Sequence, residues 1–222
     1  MKTPFFYSIF LAAALFSSCE KAENKNTALL SESKNFKPRV AIIPLIDNSD
    51  HSLEWSLSDE FTNTLCAKLD QRDVFLLDSP GKVKMLTKKI KGINNPFGQE
   101  LQWTKQVFTE EDFVVFLELI EHREVLNEGK LKLTTAVENL SAQLNICLRL
   151  RILDLRGEEP KITLQEILQD SHFIPKQFTQ QNFPQTSWNT EEFNLSPMGI
   201  AHAQLIKELR SRIEDYILLA KD

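Results

Sequence analysis

The chain has 222 residues, a length that suits one large or two small domains. Its 31 acidic and 26 basic residues give a net charge of −5 at neutral pH, so it lacks the basic footprint of a nucleic-acid-binding protein. The same balance argues against attachment to an anionic membrane surface by charge. We therefore expect no nucleic-acid partner, and any membrane attachment must have another source.

The amino-terminal segment has the layout of a secretory signal. Lys2 precedes an apolar run of 12 residues over positions 5–16, which Ser17, Ser18 and Cys19 follow. As a helix this run is about 18 Å long, too short for a hydrocarbon core of about 30 Å. The segment is therefore predicted to target the chain for export rather than to span the membrane.

The end of this segment, Phe16-Ser17-Ser18-Cys19, resembles a bacterial lipobox. The resemblance implies cleavage between Ser18 and Cys19 and acyl chains on Cys19, which hold a protein firmly at a membrane when several are present. An ordinary signal peptide that happens to contain a cysteine is the alternative. Glu20 replaces the Asp that retains many lipoproteins at the inner membrane, so the resemblance favours the outer membrane, with the protein facing the periplasm.

The domain organisation follows from changes in composition. Residues 1–18 form the predicted signal peptide, 19–37 a lipidated and polar, disordered tether, and 38–222 one periplasmic domain. Cys66 and Cys147 remain in that domain. The exported compartment permits a disulfide between them, whereas their places in a predicted helix and strand suit free, buried cysteines. No CxxC motif occurs, so thiol redox chemistry has no support.

Hydrophobic periodicity predicts the elements of the domain. They are a strand over 39–46 interrupted near Pro44, a helix over 53–71 capped by Ser52, a strand over 73–78, helices over 82–91 and 99–107, strands over 111–122, 141–152 and 161–173, and a closing helix from Pro197 to Ala220 with Ser196 as its cap. Strands and helices in this order predict an α/β (α+β) fold, a single mixed sheet with helices packed on it.

Four segments of the domain resemble a known periplasmic fold. They are the runs 39–48, 74–78, 112–119 and 148–157. This fold is shared by the curli-secretion lipoprotein, the lipoprotein activator of penicillin-binding proteins and the amino-terminal domain of the Tol translocation protein. Because these relatives are secretion, assembly or activation factors, the resemblance implies an envelope protein partner and a role that is not enzymatic.

The candidate chemistry is sparse. Asp47, Asp50 and His51 share one loop, where they are ligands for a divalent cation or, alternatively, parts of a solvated Asx turn. Glu118 and His122 are four positions apart in one predicted strand, which places them on the same strand face as a candidate for part of a metal site. Because no further ligand is identifiable, we predict no metal centre.

Other sequence features lead to the same conclusion. Arg149 and Arg151 alternate on one strand face, where they bind an anion or, alternatively, line the solvated face of a half-covered sheet. The GxSxG, HExxH and P-loop motifs are missing from the sequence, so we predict no catalytic residues and no cofactor.

Aromatic residues recur every five positions in the long segment before the last helix. They are Phe173, Phe178, Phe183, Trp188 and Phe193. Either they fold back onto the sheet, or Phe178, Phe183, Trp188 and Phe193 contact a partner.

Three functional hypotheses follow from the sequence. The leading one is a lipid-anchored envelope protein that acts as an assembly, secretion or activation factor through protein contacts. The first alternative is a lipoprotein that binds glycolipid or peptidoglycan, which a cavity between sheet and helices would favour. The second alternative is an exported hydrolase, which requires His51 or His122 to meet an acid and a nucleophile in a cleft.

Overall fold

The computed structural model describes residues 37–90, 94–126, 141–178 and 188–221. These residues form a six-stranded sheet in the order β3-β1-β4-β5-β6, with β2 paired to β4 beside β1. The strands are β1 (Arg39–Ile42), β2 (Ile46–Asp47), β3 (Leu76–Leu77), β4 (Phe113–Leu126), β5 (Ala142–Asp154) and β6 (Lys161–Ile174). The helices are α1 (Leu57–Asp70), α2 (Pro80–Ile90), α3 (Gln102–Val107), α4 (Glu191–Leu195) and α5 (Pro197–Lys221). The predicted mixed α+β fold is confirmed.

The sheet has a parallel part and an antiparallel part. β1 pairs in parallel with both β3 and β4, whereas β4, β5 and β6 form a long antiparallel meander. The predicted first strand is interrupted at Pro44, as expected, because proline has no N–H to donate to a ladder. The chain resumes pairing with β4 at Ile46 as β2.

Helices cover both faces of the parallel part. α1 and α5 pack on one face, where Leu57, Phe61 and Leu65 of α1 meet the apolar alternation of β5 in the main core. α2 and α3 pack on the opposite face over a smaller core that includes Val114 and Phe116 of β4. The sheet therefore separates α1 from α2.

The predicted start of the first long helix was wrong by four residues. α1 begins at Leu57, and Ser56 rather than Ser52 is its cap, with the Ser56 side chain accepting a hydrogen bond from the Asp59 N–H at 3.1 Å. The correct cap follows from spacing, because a capping side chain bonds the N–H two or three residues ahead. Trp55 consequently lies before the helix, where its ring packs against the main core.

A bulge in β4 overturns the expected shared face of Glu118 and His122. The register with β5 shifts between Leu119 and Glu121, which makes Ile120 an extra residue. Each extra residue reverses the side-chain alternation, so Glu118 lies opposite Arg149 on one face while His122 lies opposite Ile146 on the core face.

Cys66 and Cys147 are free, so the disulfide alternative is wrong; Cys147 is buried as expected, whereas Cys66 is only half-buried. The predicted signal peptide, Cys19 and tether lie outside the described residues. Among the helices of the described residues, none has an apolar stretch of a length that would cross a bilayer.

Candidate functional site

Three buried polar side chains from three different elements meet in the main core. Glu60 comes from α1, His122 from β4 and His202 from α5, and each is at most 3% exposed. Glu60 Oε1 lies 2.6 Å from His202 Nδ1, and His202 Nε2 lies 2.8 Å from His122 Nε2. We call these three residues the histidine relay. The relay joins both core helices to β4.

Hydrogen bonding fixes the protons of the histidine relay. His202 donates its Nδ1–H to the Glu60 carboxylate, and Glu60 also accepts from Trp55 Nε1 at 2.7 Å. Burial, together with the nearby His202 and His51 rings, lowers the pKa of His122 to about 3, so His122 is neutral at physiological pH. The short contact between the two ring nitrogens therefore holds one proton, shared between a donor and an acceptor.

The predicted Asp47–His51 loop lies beside the histidine relay. His51 Nε2 donates to Asp47 Oδ2 at 3.0 Å, and its Nδ1 accepts the Leu53 N–H. Asp47 Oδ1 accepts the Ser49 N–H, an Asx turn. Burial tends to raise the pKa of Asp47, but the bonds from Ser49 and His51 outweigh it and lower that pKa. The Asx alternative fits this loop, while Asp50 is exposed.

The histidines hold structure rather than line a cleft. In the part of the chain that the structure describes, the hydrogen-bond partners of His51, His122 and His202 are carboxylates, a ring nitrogen and a backbone N–H, with no hydroxyl or thiol among them. Among the described residues, no three His, Cys, Asp or Glu side chains are grouped so that they could hold a metal ion. Sequence reasoning missed the relay, although His202 lies four residues before Ile206 on the predicted buried face of α5.

Arg151 is buried, at 4% exposure, and fits neither predicted role. Its guanidinium donates to the backbone carbonyls of Pro96, Phe97 and Gly98 and to the side chain of Gln165. Burial and the neighbouring Arg149 lower the pKa of Arg151. The side chain therefore fastens the 94–98 loop onto the sheet, which is neither an anion site nor a solvated face.

A second charged cluster fastens the beginning of α2. Lys82 Nζ lies 3.1 Å from Asp78 and 2.9 Å from Glu110, and it also contacts Glu111. Burial and the bond to Glu111 raise the pKa of Asp78, whereas the pKa of Glu111 is lowered by Lys82 and Asp78 against the effect of burial. The cluster therefore ties β3 and α2 to the start of β4.

A surface cleft of about 710 Å³ lies between α1 and α2, at the β3 edge of the sheet. Its volume is within the usual range for ligand sites, about 300–1,000 Å³. Ile42, Pro44, Leu77 and Val83 supply its apolar lining. The carboxyl ends of the parallel strands β1 and β3 open into it, a common position for binding sites in open sheets. We call it the edge cleft and take it as the candidate functional site.

Apart from Asp78, which is paired with Lys82, the charged side chains that line the edge cleft are divided by sign. Asp59 and Asp70 lie on the α1 wall, and Lys84 and Lys88 lie on the α2 wall. All four side chains are exposed. One wall is therefore acidic and the opposite wall basic.

The predicted partner-contact aromatics are largely part of the core packing. Phe193 is 2% exposed and its ring meets Trp55 edge-on, with centroids 5.3 Å apart. Phe178 and Trp188 are half-buried against the same core. Phe183 lies outside the described residues. Phe173 is 64% exposed on β6.

The fold and the edge cleft define a class of α+β domains in which helices cover a mixed sheet and a cleft opens at its parallel edge. The chain belongs to a family of unknown function, DUF7499, whose sequence profile matches residues 26–221. The comparison with curated proteins found no match.

Solved structures are also similar to this chain. The hypothetical protein CT253 from Chlamydia trachomatis is 24% identical, with a TM-score of 0.59 over 82% of this chain and 98% of that one, so the two share a fold. Lipoprotein GNA1162 from Neisseria meningitidis is 12% identical, with a TM-score of 0.43 over 80% and 99% of the two chains. The LpoB C-terminal domain from Escherichia coli is 12% identical, with a TM-score of 0.34 over 64% and 93%.

Proposed function

We propose that this protein is a lipid-anchored component of a bacterial cell envelope that acts through protein–protein contacts, as an assembly, secretion or activation factor without catalysis of its own. The proposed action through protein–protein contacts, without catalysis, rests on one observation. The buried side chains of Glu60, His122 and His202 are hydrogen-bonded to one another inside the fold, while the accessible edge cleft has an apolar lining between two oppositely charged walls. Such a surface suits recognition of another molecule.

The anchor rests on the sequence. The run from Phe16 to Cys19 has the composition of a lipobox, and the folded domain begins only at about residue 38, so a segment of 18 residues separates Cys19 from it. A flexible chain of that length has a reach of about 20–25 Å. That reach keeps the domain close to the membrane that carries the lipid, and Glu20 favours the outer membrane.

Intact-mass spectrometry of the native protein, compared with a Cys19→Ala variant, tests the anchor. We expect a mature chain that begins at Cys19 and carries three acyl chains, and we expect the variant to lose both the lipid mass and membrane association. Separation of inner and outer membranes then checks the location. An unmodified Cys19, or a variant that remains in the membrane fraction, would overturn the anchoring proposal.

Crosslinking in intact cells tests the protein-contact half of the proposal. A photoreactive amino acid at Asn63, in the edge cleft, should trap an envelope protein, whereas the same amino acid at exposed Glu208 on α5 serves as the control. Equal labelling from both positions would contradict a role for the cleft.

Binding of glycolipid or peptidoglycan is the second candidate function. Leu144, Leu148 and Leu209, which lie in the core between the sheet and the helices α1 and α5, are fully buried, so an internal site there has no support from the described residues. The observation that favours this candidate function is the volume of the edge cleft. Retention of the protein on purified peptidoglycan or on glycolipid vesicles, and its loss on filling the cleft with Thr62→Trp, would favour it.

A further inference from the structure

The edge cleft contains a strand edge with which none of the described strands pairs. β3 is the outermost strand of the sheet on that side. The Leu76 N–H bonds to the Pro38 carbonyl at 3.0 Å, and the Asp78 N–H bonds to the Val40 carbonyl at 3.1 Å. Main-chain groups of successive strand residues point to opposite sides, so Leu77 directs its N–H and C=O away from β1. Leu77 lines the cleft, and its N–H and C=O make no hydrogen bond to the backbone of any described residue.

The charged walls of the cleft have no internal partners. Among the described residues, none of Asp59, Asp70, Lys84 and Lys88 takes part in an ion pair, although ion pairs are common elsewhere on the domain. The two walls belong to helices on opposite faces of the sheet. A strand added at the β3 edge would therefore have the acidic wall on one of its faces and the basic wall on the other.

Because side chains alternate along a β-strand, the two charged walls select for a particular pattern of charges in a bound peptide. Successive side chains of an extended peptide point to opposite faces. Residues of one parity would face Asp59 and Asp70, and residues of the other parity would face Lys84 and Lys88. Charge complementarity then requires basic residues at the first set of positions and acidic residues at the second.

We propose that the edge cleft binds an extended segment of a partner protein, which adds as a strand to the free edge of β3 and alternates basic with acidic side chains. This inference rests on the proposed function and names its contact site. Strand addition of this kind takes its affinity from main-chain hydrogen bonds and its selectivity from alternate side chains. A lipid chain would leave the four wall charges unmatched, and a glycan would leave them without opposite charges.

The test uses the mature chain with Cys19→Ala and a blocked, dye-labelled peptide of alternating Lys and Glu as the probe, followed by fluorescence anisotropy. A peptide of the same composition, with all Lys before all Glu, is the matched control. Measurements at about 0.01 M ionic strength keep the Debye length near 30 Å, and addition of salt should weaken binding. We expect the alternating peptide to bind at least about tenfold more tightly than the block peptide, since exposed ion pairs contribute up to about 1 kcal/mol each.

Variants of the walls locate the site. Lys84→Glu with Lys88→Glu should lower the affinity at least about tenfold, whereas Lys89→Glu, which lies on the same helix outside the cleft, should not. Reversal of both walls, by adding Asp59→Lys and Asp70→Lys, should restore binding, because a peptide that slips by one residue exchanges its two faces. Circular dichroism verifies that each variant is folded.

Several results would overturn the inference. They are no binding of the alternating peptide, equal affinity for the two peptides, and equal loss from the cleft variants and Lys89→Glu. Binding of lipid vesicles or glycan that the cleft variants abolish, without binding of the peptide, would also overturn it. The Cys19 mass measurement and the cellular crosslinking do not depend on these peptide-binding results. Failure of the proposed binding site is therefore distinguishable from failure of the proposed envelope function.

Discussion

Removal of the Glu60 carboxylate is the most direct perturbation of the core. Glu60 is 3% exposed and accepts two hydrogen bonds, from His202 Nδ1 and Trp55 Nε1. In Glu60→Ala both donors lose their acceptor. His202 is 1% exposed, so water does not replace the lost partner without opening the core. Each orphaned buried donor costs about 1–3 kcal/mol, so we expect a loss of about 4 kcal/mol. That is a large part of the usual stability of a domain, about 5–15 kcal/mol.

Urea unfolding at neutral pH, followed by tryptophan fluorescence, measures this loss as a change in the free energy of unfolding. Glu60→Gln keeps the volume and one acceptor oxygen, and should cost about half as much as Glu60→Ala. Glu54→Gln is the control, because Glu54 is exposed, and should change stability by less than about 0.5 kcal/mol.

A double-mutant cycle separates the relay from general loss of packing. His202→Ala combined with Glu60→Ala should cost clearly less than the sum of the two single changes, because the second change removes a donor that the first had orphaned. A cost below about 1 kcal/mol for Glu60→Ala, or simple additivity in the cycle, would refute the role assigned to the histidine relay.

Three further predictions concern the pH dependence and packing of the domain. The pKa of His122 in the folded chain is lowered to about 3, so between about pH 6.5 and pH 3 the unfolded chain binds a proton that the folded chain does not. The free energy of unfolding should therefore decrease as the pH falls through this range, by up to about 1.4 kcal/mol per pH unit. His122→Gln should flatten this dependence in urea midpoints, and equal slopes would contradict it. Gly199→Ala should lower stability in thermal unfolding by about 1–3 kcal/mol, because the added Cβ would lie 2.8 Å from the Phe193 carbonyl carbon. Gly81→Ala is the control. Gly81 has open space around it, so this change should be neutral or slightly stabilising. Arg151→Lys should cost about 2–3 kcal/mol, because an ammonium group does not reach the same four acceptors, and an unchanged urea midpoint would count against its role in fastening the 94–98 loop.

Local sequence signals predicted most elements because they depend on nearby residues alone. The alternation of Leu144, Ile146, Leu148, Leu150 and Ile152 requires a strand with one apolar face, and all five residues are buried. Ser196 and Pro197 mark the start of α5, where Ser196 Oγ accepts the Gly199 N–H at 3.0 Å. Pro44 interrupts the first strand for an equally local reason.

Local sequence signals did not predict the histidine relay or the face of β4 on which His122 lies. The extra residue at Ile120 has no sequence signature, yet it reverses which side of the strand His122 occupies. Glu60 and His202 are 142 positions apart and meet only because α1 and α5 pack on the same face of the sheet. The interpretation of Arg151 failed because its acceptors come from a loop 53–55 residues away.

The sequence by itself determined the order of strands and helices and the mixed α+β class, because periodicity and caps are properties of neighbouring residues. Only the tertiary structure decided that the buried histidines pair with a carboxylate in the core, and that α1 and α2 present opposite charges across the open edge of β3. These features depend on strand order and on the face that each helix covers. Both are set by the cooperative burial of apolar surface from the whole domain, and a short window of sequence does not contain that information.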